Sequence, residues 1–113
     1  IGLHPRQALS LQRHAHRREL WYVIDGVVVI ILNGRVLTLT AGQELEVPLG
    51  AVHSMINLSR EPVLLYEQQI GLCREDDAVR LYDYAGRPTS AIDPKDRVAL
   101  RSIERYKSLI RLL

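Results

Sequence analysis

Asn33-Gly34 sits between two apolar runs, residues 21–32 and 36–40, and limits the fold more than any other pair in the chain. Asparagine and glycine tolerate the left-handed backbone of a two-residue hairpin, so the flanking runs are expected to pair as antiparallel strands. Val36, Thr38 and Thr40 alternate with Leu37 and Leu39, the period of a half-buried strand. Similar segments recur on either side. Residues 9–17 alternate in a way that puts Gln12, His14 and His16 on one face. Asp25-Gly26 marks a turn inside the Val- and Ile-rich residues 21–32. Residues 44–47, 53–57 and 63–70 read as further strands, separated by Ala41-Gly42, Pro48-Leu49-Gly50 and Ser59-Arg60-Glu61-Pro62. Strands this short and closely spaced predict an all-β sandwich or barrel.

The character changes after Gly71. Residues 75–88 are charged and are expected to wrap the barrel as loop or short strand, with Asp76 and Asp77 bracing it. Asp93-Pro94 then predicts a helix, Asp93 as N-cap and Pro94 at its first position. Val98, Leu100, Ile103, Lys107, Ile110 and Leu113 recur at helical spacing, and Arg101, Arg105, Lys107 and Arg111 suit the C-terminal half. The expected division is a barrel over residues 1–92 and a helix over 93–113 packed on or beside it.

A chain of 113 residues with net charge +2 makes one domain and gives no general argument for nucleic acid or membrane as a partner. The basic helix face is therefore read as a solvated or dimer-contact surface. The apolar run 27–32 is too short to span a bilayer. A single cysteine, Cys73, excludes an internal disulfide and points to a cytoplasmic protein in which it is structural. Ile1 is not a natural start, so N-terminal sequence is expected to be missing.

Two clusters carry chemistry. Gln12, His14 and Glu19 lie in the first, and His53 in the second, among Gly42, Pro48, Gly50 and Asn57. Two imidazoles and a carboxylate suit a divalent metal, zinc first, with Mn²⁺, Co²⁺, Ni²⁺ and Fe²⁺ as alternatives. Gln12 either completes the set or orients a ligand from behind. His16 reads either as a pocket acid or base or as a rim histidine. Trp21 reads as core, with a wall of the pocket as the alternative, and the glycines as turns and close backbone approaches.

Gln12-x-His14-x4-Glu19-x6-Gly26 resembles the first cupin motif, and Gly42-x5-Pro48-x-Gly50-x2-His53-x3-Asn57 resembles the second. Ser10-Leu11-Gln12-x-His14-x-His16-Arg17-x-Glu19-x-Trp21 is similar, more narrowly, to the opening signature of type II phosphomannose isomerases. Glu67-x-Gln69-Ile70-Gly71, Glu75-Asp76-Asp77-x-Val79-Arg80 and Asp83-x-x-Gly86-Arg87 also resemble that family, and the likeness covers residues 8–88. The family usually has histidine at Leu20, arginine at Ser54 and tyrosine at Ala85, and one more residue between Gly71 and Glu75.

The resemblance implies a cupin double-stranded β-helix, a jelly-roll barrel that pairs as a homodimer. It further implies metal-dependent conversion of mannose 6-phosphate to fructose 6-phosphate through an enediolate. Glu67 is implied as the base, and Arg17, Arg80 and Arg87 as phosphate ligands. In that family the domain often follows a guanylyltransferase domain; none is present here, so that activity is not expected. The alternatives are other metal-dependent cupin chemistry, for which Leu20 and Ser54 would argue by removing polar groups from the substrate site, and a non-catalytic sugar-binding module.

Overall fold

The computed structural model describes residues 1–74 and 77–113. Its strands are β1 (Gly2–Leu3), β2 (Gln7–Ala8), β3 (Leu11–His14), β4 (Arg17–Asp25), β5 (Val27–Leu32), β6 (Arg35–Thr40), β7 (Glu44–Val47), β8 (His53–Asn57), β9 (Val63–Gly71) and β10 (Ala78–Tyr82). The helix α1 (Arg97–Ile110) follows. Two antiparallel sheets face one another: β1-β9-β4-β7, and β10-β3-β8-β5-β6 with β2 also on β8. This is the all-β cupin architecture expected from the sequence, with its C-terminal helix. Among the described residues no helix is long and apolar enough to cross a membrane.

Asn33 and Gly34 both take positive φ (48° and 79°), the conformation of the expected hairpin turn, and join β5 to β6 in register from Leu32–Arg35 to Val27–Thr40. Gly26 and Gly71 are fixed by close approach. A Cβ at Gly26 would lie 2.8 Å from the Pro62 carbonyl oxygen, and one at Gly71 2.6 Å from that of His16. Alternation along β4 sends Glu19, Trp21 and Val23 inward, where Trp21 and Val23 join Val28, Ile30, Met55 and Leu65 in the core between the sheets. Asn57 ties the far end of the barrel: its Nδ2 donates to the carbonyls of Leu3, His4 and Glu61.

Three local expectations give way. One strand over residues 9–17 is in fact two, because the Asp77 carboxylate accepts from the backbone N–H groups of Ala15 and His16 (3.2 and 3.0 Å) and holds them in a turn. Asp77 therefore braces the loop as expected; Asp76 lies outside the described residues. Asp93 caps a turn, accepting from Lys95 N–H, whereas Asp96 is the helix N-cap, accepting from Ala99 N–H. The buried stripe of α1 is Ala99, Ser102 and Tyr106, while Val98 and Leu100 face outward. Small residues let the helix approach the second sheet closely, and it packs on Leu11, Ile31, Val52 and Ile56.

Candidate metal centre

The pairing of β3 with β8 places Gln12 directly opposite His53, and β4 brings Glu19 across from the other sheet. His14, Glu19 and His53 are all buried, and one ligand atom from each lies within 4.8 Å of the others. Gln12, Arg17, Glu19, Trp21, His53 and Glu67 line one cavity of about 140 Å³.

His53 and Glu19 are each oriented by a partner behind them, whereas His14 Nδ1 has none among the described residues. His53 Nδ1 donates to the Ala51 carbonyl (2.9 Å), which leaves the Nε2 lone pair buried without a hydrogen-bond partner among the described residues. Trp21 Nε1 donates to Glu19 Oε2 at 2.7 Å, and its ring stands edge-on to His53. His14 Nε2 lies 3.3 Å from Glu19 Oε1 and 3.1 Å from Arg17 Nη2. A guanidinium can only donate, so this Nε2 is the acceptor of a neutral ring whose lone pair points into the cluster. Burial, the neighbouring His53 and Arg17 lower the His14 pKa to about 4, and burial likewise lowers that of His53. Two neutral imidazoles beside one carboxylate, the His53 Nε2 lone pair free and that of His14 shared with Arg17, form a donor set that fits a divalent ion.

Arg17 competes for the same His14 lone pair, and its charge opposes an incoming cation. Arg17→Met is accordingly expected to tighten zinc binding at least about tenfold, about 1.4 kcal/mol, by calorimetric titration. Equal or weaker binding would show that the guanidinium does not compete.

Glu67 faces the cluster from β9, the inward orientation its strand parity implies. Burial, then a hydrogen bond with Glu19 and repulsion from its charge, raise its pKa. The carboxyl is also held by Gln69 Nε2 (3.2 Å).

The other proposed residues lie elsewhere. The His16 side chain is 65% exposed and outside the cavity, because the strand alternation that would have aimed it inward ends at His14. Arg80 is the cross-strand partner of Gln12, and its Nη1 donates to the Pro88 carbonyl. Arg87 is committed to Asp83, to which its Nε donates at 2.6 Å. Of the three arginines, only Arg17 lines the cavity. Cys73 is exposed.

Asp83 also accepts from the backbone N–H of Ala85 and of Arg87, and the Arg87 side chain holds its pKa below the usual carboxylate range. A lowered folded-state pKa adds stability that is present above about pH 4 and is lost as pH falls through the folded value. Asp83→Asn should cost about 1 kcal/mol at pH 7, a fall in Tm of roughly 4–8 °C for a domain of this size, with the gap to wild type narrowing as pH falls below about 4. A gap independent of pH would exclude this ion pair as its source.

Of the two departures, Leu20 lies off the cavity and Ser54 lies on its border. Leu20 lies between inward Glu19 and Trp21, on the outer face of β4. Ser54 borders the cavity but directs its hydroxyl to the Leu9 carbonyl (2.8 Å), and its cross-strand partner Ile31 packs in the cluster beneath α1. Tyr106 donates to that same carbonyl (2.8 Å), so a small residue at position 54 suits the docked helix. Ala85 belongs to the exposed Asp83 turn.

The pattern of the mannose-6-phosphate isomerase C-terminal family matches residues 1–83. The xanthan biosynthesis protein XanB of Xanthomonas campestris is 41% identical over 88 residues, covering 77% of this chain and 19% of that protein. A mannose-1-phosphate guanylyltransferase of Klebsiella pneumoniae is 39% identical over 88 residues, with 77% and 19% covered. The chain thus spans about a fifth of the length of these curated relatives. A crystal structure from Klebsiella pneumoniae, an uncharacterized conserved protein with a double-stranded β-helix domain, superposes with TM-score 0.56 at 30% identity, covering 62% of this chain and 61% of that one. With the barrel, the two spaced motifs and the sequence match in agreement, the chain belongs to the mannose-6-phosphate isomerase C-terminal family of cupins.

Proposed function

We propose that the chain is a metal-dependent sugar-phosphate isomerase that interconverts mannose 6-phosphate and fructose 6-phosphate. The observation that carries this reading is Glu67, a carboxyl with raised pKa facing Glu19 in the cavity that His53 also lines, with His14 beside them in the donor cluster. Moving hydrogen between adjacent sugar carbons needs one acid–base group that can both take and return a proton, and a carboxyl with a raised pKa suits that work.

His14, Glu19 and His53 would hold the ion, with Gln12 as a fourth ligand; zinc is the first choice, ahead of Mn²⁺, Co²⁺, Ni²⁺ or Fe²⁺. When bound, a divalent ion supplies positive charge opposite the negative charge that develops on the sugar oxygens. Trp21 keeps Glu19 in place, and the Ala51 carbonyl keeps the His53 lone pair aimed inward. A cavity of about 140 Å³ suits the reacting end of a hexose phosphate, so the phosphate reaches toward the rim. Arg17 is the arginine at hand to meet it, with Arg80 across from Gln12 next. A cytoplasmic setting, where sugar phosphates are found, belongs to the same proposal.

Solvent exchange tests the reading. Incubating the metal-loaded protein with mannose 6-phosphate in deuterated water should place deuterium at the sugar C2, because the Glu67 proton equilibrates with solvent. A sugar that stays unlabelled and unconverted would refute the proposal.

A further inference from the structure

His14 is the donor with no partner of its own to aim it. The Ala51 carbonyl orients His53 and Trp21 orients Glu19, whereas His14 Nδ1 is buried without a hydrogen-bond partner among the described residues. Its direction therefore depends on how its strand, β3, is held. The sheet alone holds that strand loosely. On the central strand β8 it registers at one pair, Gln12 with His53, whereas β5 registers on β8 from Val29–Ile56 to Leu32–His53. Its other neighbour, β10, is an edge strand whose register shifts between Arg80 and Tyr82.

The missing support comes from the other face of the strand. Alternation turns Gln12 and His14 toward the centre and Leu11 and Arg13 toward α1. Arg13 Nη1 donates to Asp96 Oδ2 at 3.0 Å, while Oδ1 of the same carboxylate caps the helix by accepting from Ala99 N–H. Just ahead of β3, the Leu9 carbonyl accepts from the hydroxyl of buried Tyr106 (2.8 Å), which itself accepts from Tyr84 N–H (3.0 Å). Between these two ties, Leu11 packs beneath the helix. We infer that α1 is a positioning element of the metal centre: through Tyr106 and the Arg13–Asp96 pair it fixes β3, and so aims His14 and Gln12 at the ion. The helix does for His14 what the Ala51 carbonyl does for His53. It lies beyond the residues 1–83 that the family pattern matches. The inference rests on the metal centre of the proposed function and not on its isomerase chemistry.

Zinc titration of the full chain by calorimetry tests it. Arg13→Leu and, independently, Tyr106→Phe should each weaken zinc binding about tenfold, the low end of what partners behind a metal ligand contribute. Both side chains of the Arg13–Asp96 pair are partly exposed, so Arg13→Leu should change Tm little while affinity falls. Loss of the Arg13 charge would by itself favour an incoming cation, so weaker binding reports on position. Arg13→Lys, which restores a cation opposite Asp96, should recover most of the loss. The β3 amides should exchange with solvent faster in Arg13→Leu than in wild type or Arg13→Lys. Unchanged affinity in either folded variant would overturn the inference, as would a loss that Arg13→Lys leaves unrecovered. A wild type that binds no zinc would overturn the metal centre and this inference with it. Zinc binding is read without sugar, so failure of the isomerase reading produces none of these results.

Discussion

Glu67→Gln is expected to lower isomerisation by about 10³-fold while leaving bound metal and KM nearly unchanged. General acid–base groups contribute roughly 10²–10⁴ in rate, and Glu67 is the carboxyl free of other duties in the cavity, since Glu19 belongs to the donor set. Glutamine keeps the size of the side chain and its contact with Gln69, so the barrel wall is preserved. What is lost is the ability to take a proton from one carbon and return it to the next. The measurement is kcat and KM beside metal content. Unchanged kcat would reject Glu67 as the base; lost metal would move it into the donor set.

His53→Ala should weaken divalent-ion binding by at least about 100-fold. His53 is 2% exposed, and its free Nε2 lone pair is held in place by the Ala51 carbonyl, so its loss removes a fixed donor. Even outer partners of metal ligands typically contribute 10–100-fold in affinity, and a direct ligand contributes no less. Trp21, the only tryptophan, packs against His53 and bonds Glu19 and so reports on the same centre through its fluorescence. Full metal occupancy in a folded variant, by elemental analysis, would exclude the assigned centre.

The strand plan was legible because it rests on local chemistry: the Asn33-Gly34 turn, the alternation of residues 36–40 and the small residues at 26, 42 and 50. The donor set was legible because its members lie on spaced motifs that one sheet pairing, Gln12 with His53, brings together. What failed depended on contacts distant in sequence. His16 leaves the inward face because Asp77, sixty-one residues on, takes its N–H. Arg87 is lost to the phosphate role because Asp83 claims it. Leu20 was assigned to the substrate side from its motif neighbours, yet alternation sends it outward, while Ser54 does border the cavity. The part of Trp21 in orienting Glu19 and His53 was also missed; a tryptophan two residues after a buried carboxylate on one strand shares its face, and that parity was the available signal.

On the proposed function, the His14, Glu19 and His53 centre, with Glu67 beside it, isomerises a sugar phosphate. The most direct test is conversion of mannose 6-phosphate to fructose 6-phosphate by the zinc-loaded full chain, run beside a sample treated with chelator. Turnover should disappear on chelation and return when metal is restored. Bound metal without any turnover would contradict the proposed function.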